Sequence, residues 1–382
     1  MYPHNAWFNP EGVDCATARS LLFTNRSFAH YTVAALVEYI LITSNGPAQI
    51  ALSNLLEARP TLRSSIRSLY INAHGAVAAQ ILSAAPRLGF LELAFHNEKI
   101  AEVRRVFSSI VQSRRSIRHL VVTSSFSDQA MRFDTPKKAN NLSRIGEQLL
   151  DDCDALTTLR WNIPSVTFTM PANQDVLTCL EDISTSRYCY HFIQWATTSK
   201  LPLLKKFSLS AKAVGVYQYK DTNKSRSEGV TAFLKTHGPK LQEFFLDDFS
   251  VYDTDLLLCT RLVKLQIGLS ANSSTVAKVK HPSVKYIIIH WSSTSFLAHL
   301  EKLLRGLYEG SYPALEQVVS TRSDFWPTTE SALGSSQWQT EATQKLNARG
   351  VTLMDREGRV WRPRLEVKDV LRRSGRVADQ RK

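Results

Sequence analysis

The stretch IRSLYI, residues 66–71, sets apolar side chains at Ile66, Leu69 and Ile71, and this spacing returns along the chain. Copies begin at Leu88 (with Leu91 and Leu93), Ile117 (Leu120, Val122) and Leu156 (Leu159, Trp161). Others begin at Leu204 (Phe207, Leu209), Leu241 (Phe244, Leu246), Leu262 (Leu265, Ile267) and Val284 (Ile287, Ile289). Leu315 and Val318 make a ninth, weaker copy. The fourth and sixth positions of the phrase lie two apart, so on a strand they share a face. One such strand cannot bury that face alone, whereas stacked neighbours bury a continuous core.

Text with helical period precedes most copies, as in VAAQILSAA (77–85), HFIQWATT (191–198) and SFLAHLEKLLRGLY (295–308). There the apolar residues recur at three and four. Turn formers divide helix from strand at Pro86, Gly238-Pro239, His281-Pro282 and Pro313. The unit of helix, tight turn and short strand is that of a leucine-rich repeat. The expected fold is α/β, an irregular leucine-rich-repeat solenoid: a horseshoe of short parallel strands and helices. A doubly wound α/β sheet is the structural rival, but no ligand-binding loop at a strand end supports it.

Successive copies are spaced by 22, 29, 39, 48, 37, 21, 22 and 31 residues. The longer intervals predict insertions, and the polar stretches 124–141 and 211–229 read as surface loops. The Asn or Cys usual three residues beyond the sixth position is replaced, for example by His74, Pro164, Lys212 and Phe249. An asparagine ladder is therefore not expected, which is why the horseshoe is read as irregular.

The chain has 382 residues, 43% of them hydrophobic, which suits one solenoid. No apolar run approaches the roughly 18–20 residues of a membrane span, so no membrane partner is expected. The start of the chain lacks a basic segment followed by an apolar one, unlike a secretory signal. Its five cysteines are odd in number and unclustered, pointing to a reduced compartment, cytoplasm or nucleus, without disulfides or a zinc site.

The net charge of +13 could attract a polyanion. Lys and Arg are nevertheless spread along the sequence. The densest stretch is the tail, with Arg372, Arg373, Arg376 and Arg381. It reads either as a solvated terminus or as a contact for nucleic acid, and no recognised nucleic-acid motif is present. Nucleic acid is accordingly not expected as a partner. Phosphate-binding, nucleophile-elbow and zinc-protease motifs are all missing. Acidic pairs such as Asp151-Asp152 are sequence neighbours that do not share a face. The expectation is a non-enzyme with no catalytic residues, metal or cofactor.

Two stretches carry a family resemblance. Residues 20–42, SLLFTNRSFAHYTVAALVEYILI, contain Leu22, Arg26, Phe28 and Leu36. They resemble the second half of an F-box as found in fungal F-box and leucine-rich-repeat proteins. Residues 52–71, LSNLLEARPTLRSSIRSLYI, and residues 347–361, NARGVTLMDREGRVW, resemble the family's first repeat and closing strand. The resemblance implies a subunit that presents proteins to a ubiquitin ligase, with Leu22, Arg26, Phe28 and Leu36 contacting a Skp adaptor and, through it, a cullin. The Leu-Pro pair that opens an F-box is not found in residues 1–19. The alternative is an interaction scaffold with no ligase link, whose N-terminal segment only caps the array. The domain reading is a degenerate F-box-like helical cap over 1–45, the solenoid over 46–362 and a basic, disordered tail over 363–382.

In a curved array the third, fifth and seventh phrase positions would face outward on the concave side. From these, Tyr70, Phe90, Arg160, Lys206, Phe245, Lys264, Tyr286 and His290 are the expected binding strip for a protein partner, being large aromatic or cationic side chains. The competing reading is that loops or the tail cover Phe90 and Phe245.

Overall fold

The computed structural model describes residue 33 and residues 35–43, 46–73, 75–95, 100–124, 150, 152–163, 177–186, 189–210, 223–247, 253–268, 273–290, 297–310, 312–321 and 337–360. Leu22, Arg26 and Phe28, most of the two polar insertions, the basic tail and the ladder positions such as His74 and Phe249 lie outside them. The chain divides into two compact units, residues 1–251 with 258–261, and residues 252–257 with 262–382.

The first unit contains eight parallel strands in chain order: β1 (Tyr39–Ile42), β2 (Ser68–Asn72), β3 (Phe90–Phe95), β4 (His119–Ser124), β5 (Thr158–Asn162), β6 (Asp182–Ser186), β7 (Lys206–Ser210) and β8 (Glu243–Asp247). Helices α1 (Pro47–Ala58), α2 (Gly75–Ser83), α3 (Ile100–Ser109), α4 (Tyr190–Thr198) and α5 (Asn223–His237) connect them. The second unit holds α6 (Asp253–Leu257), α7 (Ser273–Lys278), α8 (Leu297–Tyr308) and α9 (Gln337–Ala348) with parallel strands β9 (Lys264–Gly268), β10 (Tyr286–His290), β11 (Gln317–Ser320) and β12 (Thr352–Met354). The fold is thus α/β with parallel strands and connecting helices. Among the described residues no helix is long and apolar enough to cross a membrane.

The strand register follows the phrase. Leu69 pairs with Leu91, Leu91 with Leu120, Leu120 with Leu159, and Phe207 with Phe244. The sixth positions pair in the same order, Ile71 with Leu93 and Leu93 with Val122. All of these side chains are buried. The carbonyl at the second position is shared between two donors on the next strand. Gly89 N–H and Phe90 N–H both donate to Arg67 O, at 2.8 and 3.0 Å. Thr157 and Thr158 do the same to Arg118 O, and Lys205 and Lys206 to Glu181 O.

Helix α1 starts at Pro47, whose missing N–H costs nothing there. It turns Gln49, Ser53 and Leu56 inward, spaced by four and three. Gln49 Nε2 donates to Asn72 O at 2.7 Å, fastening the helix to the end of β2. An aromatic series runs through the first core: Phe95 to Phe107 (5.7 Å between centroids), Phe107 to Trp161 (6.0 Å), Trp161 to Phe192 (5.9 Å). Each such pair contributes roughly 0.5–1.5 kcal/mol beyond area burial.

Three elements differ from expectation. β1 falls within residues 1–45, expected to be a helical cap. Residues 35–38 are helical, but Val37, Ile40 and Ile42 repeat the phrase and are buried. β6 divides the long interval: Leu180, Ile183 and Thr185 form a copy whose sixth residue is polar. Thr185 is buried because its Oγ1 donates to Trp161 O at 2.8 Å. Helix α5 begins at Asn223, inside a stretch read as a loop. The helix-compatible Lys224, Arg226 and Glu228 extend the helical text that follows.

Candidate recognition face

Along each strand alternate side chains leave the core, and register sets those of neighbouring strands side by side. In the first unit the third positions run Tyr39, Ser68, Phe90, His119, Thr158, Asp182, Lys206, Glu243. The fifth positions run Leu41, Tyr70, Glu92, Val121, Arg160, Ser184, Ser208, Phe245.

The β1–β4 end is apolar and aromatic. Tyr39 and Leu41 are 54% and 52% exposed. Leu41 pairs in register with half-buried Tyr70. Phe90 is half-buried, and its ring lies 6.3 Å from that of His119. Burial pushes the Tyr70 hydroxyl up, and Glu92 beside it adds to the rise. Burial also lowers the His119 imidazole, with Arg118 contributing, so His119 favours the neutral form.

The β3–β8 end carries charges of alternating sign: Glu92, then Arg160, Asp182, Lys206 and Glu243. Lys206 Nζ lies 3.4 Å from Glu243 Oε1. Burial raises the Asp182 carboxyl, opposed by Lys206 and Arg160 and reinforced by Glu243. Glu92 is likewise raised by burial and lowered by Arg160. Each acid is thus partly desolvated but faces a cation, as a preorganised polar surface requires.

The expected strip divides between the two units. Tyr70, Phe90, Arg160 and Lys206 belong to the first, on one face, with Phe90 and Tyr70 half-buried and Lys206 exposed. Phe245 belongs there in register but is only 8% exposed, so its ring is packed away rather than presented. Lys264, Tyr286 and His290 lie in the second unit. Tyr286 Oη donates to Glu316 Oε2 (3.2 Å), and Lys285 Nζ to Glu316 Oε1 (2.7 Å). His290 Nε2–H donates to Gln266 Oε1 at 3.0 Å, and burial, with Lys264 nearby, lowers its pKa to about 4. Leu36 is half-buried beside the start of β1.

Sequence reasoning missed Tyr39, Leu41 and Asp182, because β1 and β6 were not recognised as strands. The signal for β1 was present in Val37, Ile40 and Ile42.

Compared with known proteins, the chain matches no family model and no curated protein.

Proposed function

We propose that the chain is a non-enzymatic protein-recognition module, each unit a stretch of irregular leucine-rich-repeat solenoid, and that a protein partner docks on the outward strand face of the first unit. The observation that carries this reading is the row of exposed and half-exposed Tyr39, Leu41, Tyr70 and Phe90 on consecutive strands. Aromatic and apolar anchors of this kind dominate protein interfaces, and a rim of paired charges sets their specificity. Glu243, two strands from Asp182, pairs with Lys206, which favours a charged rim over an acid–base pair. Glu92 and Asp182 stand three strands apart, roughly 14 Å, beyond the separation at which two carboxyls share one bond. Replacing Leu41 and Tyr70 together by Asp tests the reading. It should abolish capture of the partner, about a hundredfold or more in affinity for a central pair of anchors, while the variant still unfolds cooperatively, at a lower thermal midpoint because the new carboxylates stand beside Glu92. Undiminished capture would refute it.

The resemblance of residues 20–42 supports a narrower role: a subunit that presents the bound protein to a ubiquitin ligase through a Skp adaptor and cullin, in cytoplasm or nucleus. The alternative is a scaffold without that link. Co-purification of the full chain and of Leu22→Ala/Phe28→Ala with a Skp adaptor distinguishes them. Deleting residues 1–45 would be a poorer test because it removes β1. Retention by the parent and loss in the variant support the ligase role; retention by neither supports the scaffold.

A further inference from the structure

The turns that lead into β2, β3 and β4 gather arginines that are far apart in sequence. Residues 58–68, 85–90 and 111–119 hold Arg59, Arg63, Arg67, Arg87, Arg115 and Arg118, together with Arg114, and no carboxylate. Backbone hydrogen bonds seat the three turns side by side. Gly89 N–H reaches Arg67 O at 2.8 Å, Arg118 N–H reaches Gly89 O at 2.8 Å, and Ser116 Oγ donates to Leu88 O at 2.8 Å. They lie at the N-terminal ends of neighbouring parallel strands, about 5 Å apart.

The arginines differ in state. Arg114 is buried and lies 3.4 Å from Asp152. Arg63 is half-buried, and its Nε donates to Leu56 O at 3.1 Å. Arg59, Arg67, Arg87, Arg115 and Arg118 are exposed, and among the described residues none of these five forms an ion pair. The stretch is bordered by acids: exposed Glu57 stands near the end of α1, two residues before Arg59, Glu38 stands at the equivalent position before β1, and Asp152 and Asp154 precede β5. A chain whose cations look dispersed therefore presents a five-arginine rim along one edge of its first unit.

We propose that this rim binds the phosphodiester backbone of a double-stranded nucleic acid without reading its bases. Every cation in the three turns is arginine, whose planar fork matches phosphate oxygens in pairs, unlike the point charge of lysine. Phe90 and His119, the aromatic residues of these segments, face each other at 6.3 Å. No further aromatic side chain there can stack unpaired bases, which a single-strand site uses. A protein partner would need a buried apolar anchor. Val111, 52% exposed, is the one large apolar side chain the described segments expose. What remains is exposed charge contributed by three neighbouring strand ends, the kind of surface that backbone contact uses. The rim adjoins the outward strand face at Phe90 and His119, so the arginine variants and the Leu41/Tyr70 variant, each read with both a duplex and the protein partner, separate the two readings.

The test is fluorescence anisotropy of the full chain with a duplex of about 20 base pairs, made once as DNA and once as RNA, between about 50 and 200 mM salt. The parent should bind, with affinity falling steeply as salt rises. The variant R67E/R87E/R118E should bind at least about tenfold more weakly, and its log–log salt slope should be shallower by about 3, near 0.9 for each phosphate no longer neutralised. The milder R67Q/R87Q/R118Q should shift in the same direction, guarding against misfolding of the reversal variant. The tail variant R372E/R373E/R376E should bind like the parent. Loss with DNA alone or RNA alone identifies the natural duplex and supports the site. Duplex binding unchanged by the rim variants, binding abolished by the tail variant, or no binding by the parent overturns it. So does polyglutamate competing as strongly as duplex, which would assign the rim to an acidic protein.

Discussion

Gly238 shows how closely the turns are packed. A Cβ built there would lie 2.9 Å from Leu258 O and 3.1 Å from its carbonyl carbon. Both are backbone atoms that cannot swing aside. Gly238→Ala should cost about 1–3 kcal/mol through overpacking, read as a lower urea midpoint with an unchanged slope. Its neighbour His237 is fully buried, with Nε2–H donating to Ala196 O at 2.9 Å and the ring 4.9 Å from Phe233. Burial is the main cause that holds its pKa down to about 4; Lys240 adds to the fall, and the Ala196 bond opposes it. The unfolded chain, with an ordinary imidazole near pH 6.5, therefore takes up the proton first on acidification. The stability from a neutral His237 is fully present above about pH 6.5 and drains away towards pH 4, by roughly 3 kcal/mol at most. His237→Gln should flatten that part of the pH–stability curve, measured by urea unfolding at steps between the two limits; an unchanged curve would assign the acid sensitivity elsewhere.

At the scale of elements, the phrase carries one more position than its sequence displays. Three residues before nine of the first positions stands a buried residue: Ala85, Arg114, Cys153, Leu177, Leu201, Gly238, Cys259, His281 and Tyr312; before Ile66 the place is taken by half-buried Arg63. Several of their carbonyls accept the N–H of the first position, as Cys153 does from Leu156 at 3.0 Å and Tyr312 from Leu315 at 3.2 Å. The nine share no chemistry, so no sequence pattern marks them, and only the turn's geometry makes them equivalent. Leu177 and Leu201 even adopt positive φ, 59° and 39°, to keep their side chains inside. Most strands were legible because all three phrase positions are apolar, and β11 was read from Leu315 and Val318 alone. β6 escaped because Thr185 pairs with Trp161 in register and exchanges a methyl group for a hydroxyl that finds a carbonyl. Thr185→Val should cost about 1 kcal/mol by leaving Trp161 O with one donor fewer, measurable as a shift in the denaturant midpoint. β1 escaped because the first position of its phrase, Val37, still belongs to the helix before it.

At the scale of the whole molecule, the candidate site was legible as rows of outward positions and illegible in its membership. Tyr70, Phe90, Arg160 and Lys206 stand on one face, as their phrase positions require. Phe245 obeys the same alternation and is still buried, since period two decides which face a side chain takes but not what else covers that face. The exposed Tyr39 and Leu41 on β1 enlarge the apolar end beyond what the phrase copies indicated. The arginine rim lay outside any sequence pattern because its members come from three turns that only the strand register unites.

Protein recognition by the outward face of the first unit is most directly tested by hydroxyl-radical footprinting of the full chain, free and in complex with the protein it captures from its own cells. Protection concentrated on Tyr39, Leu41, Tyr70 and Phe90, with α1, α2 and α3 unchanged, is the predicted result. Protection confined to those helices, with the four strand residues as reactive as in the free chain, would contradict it.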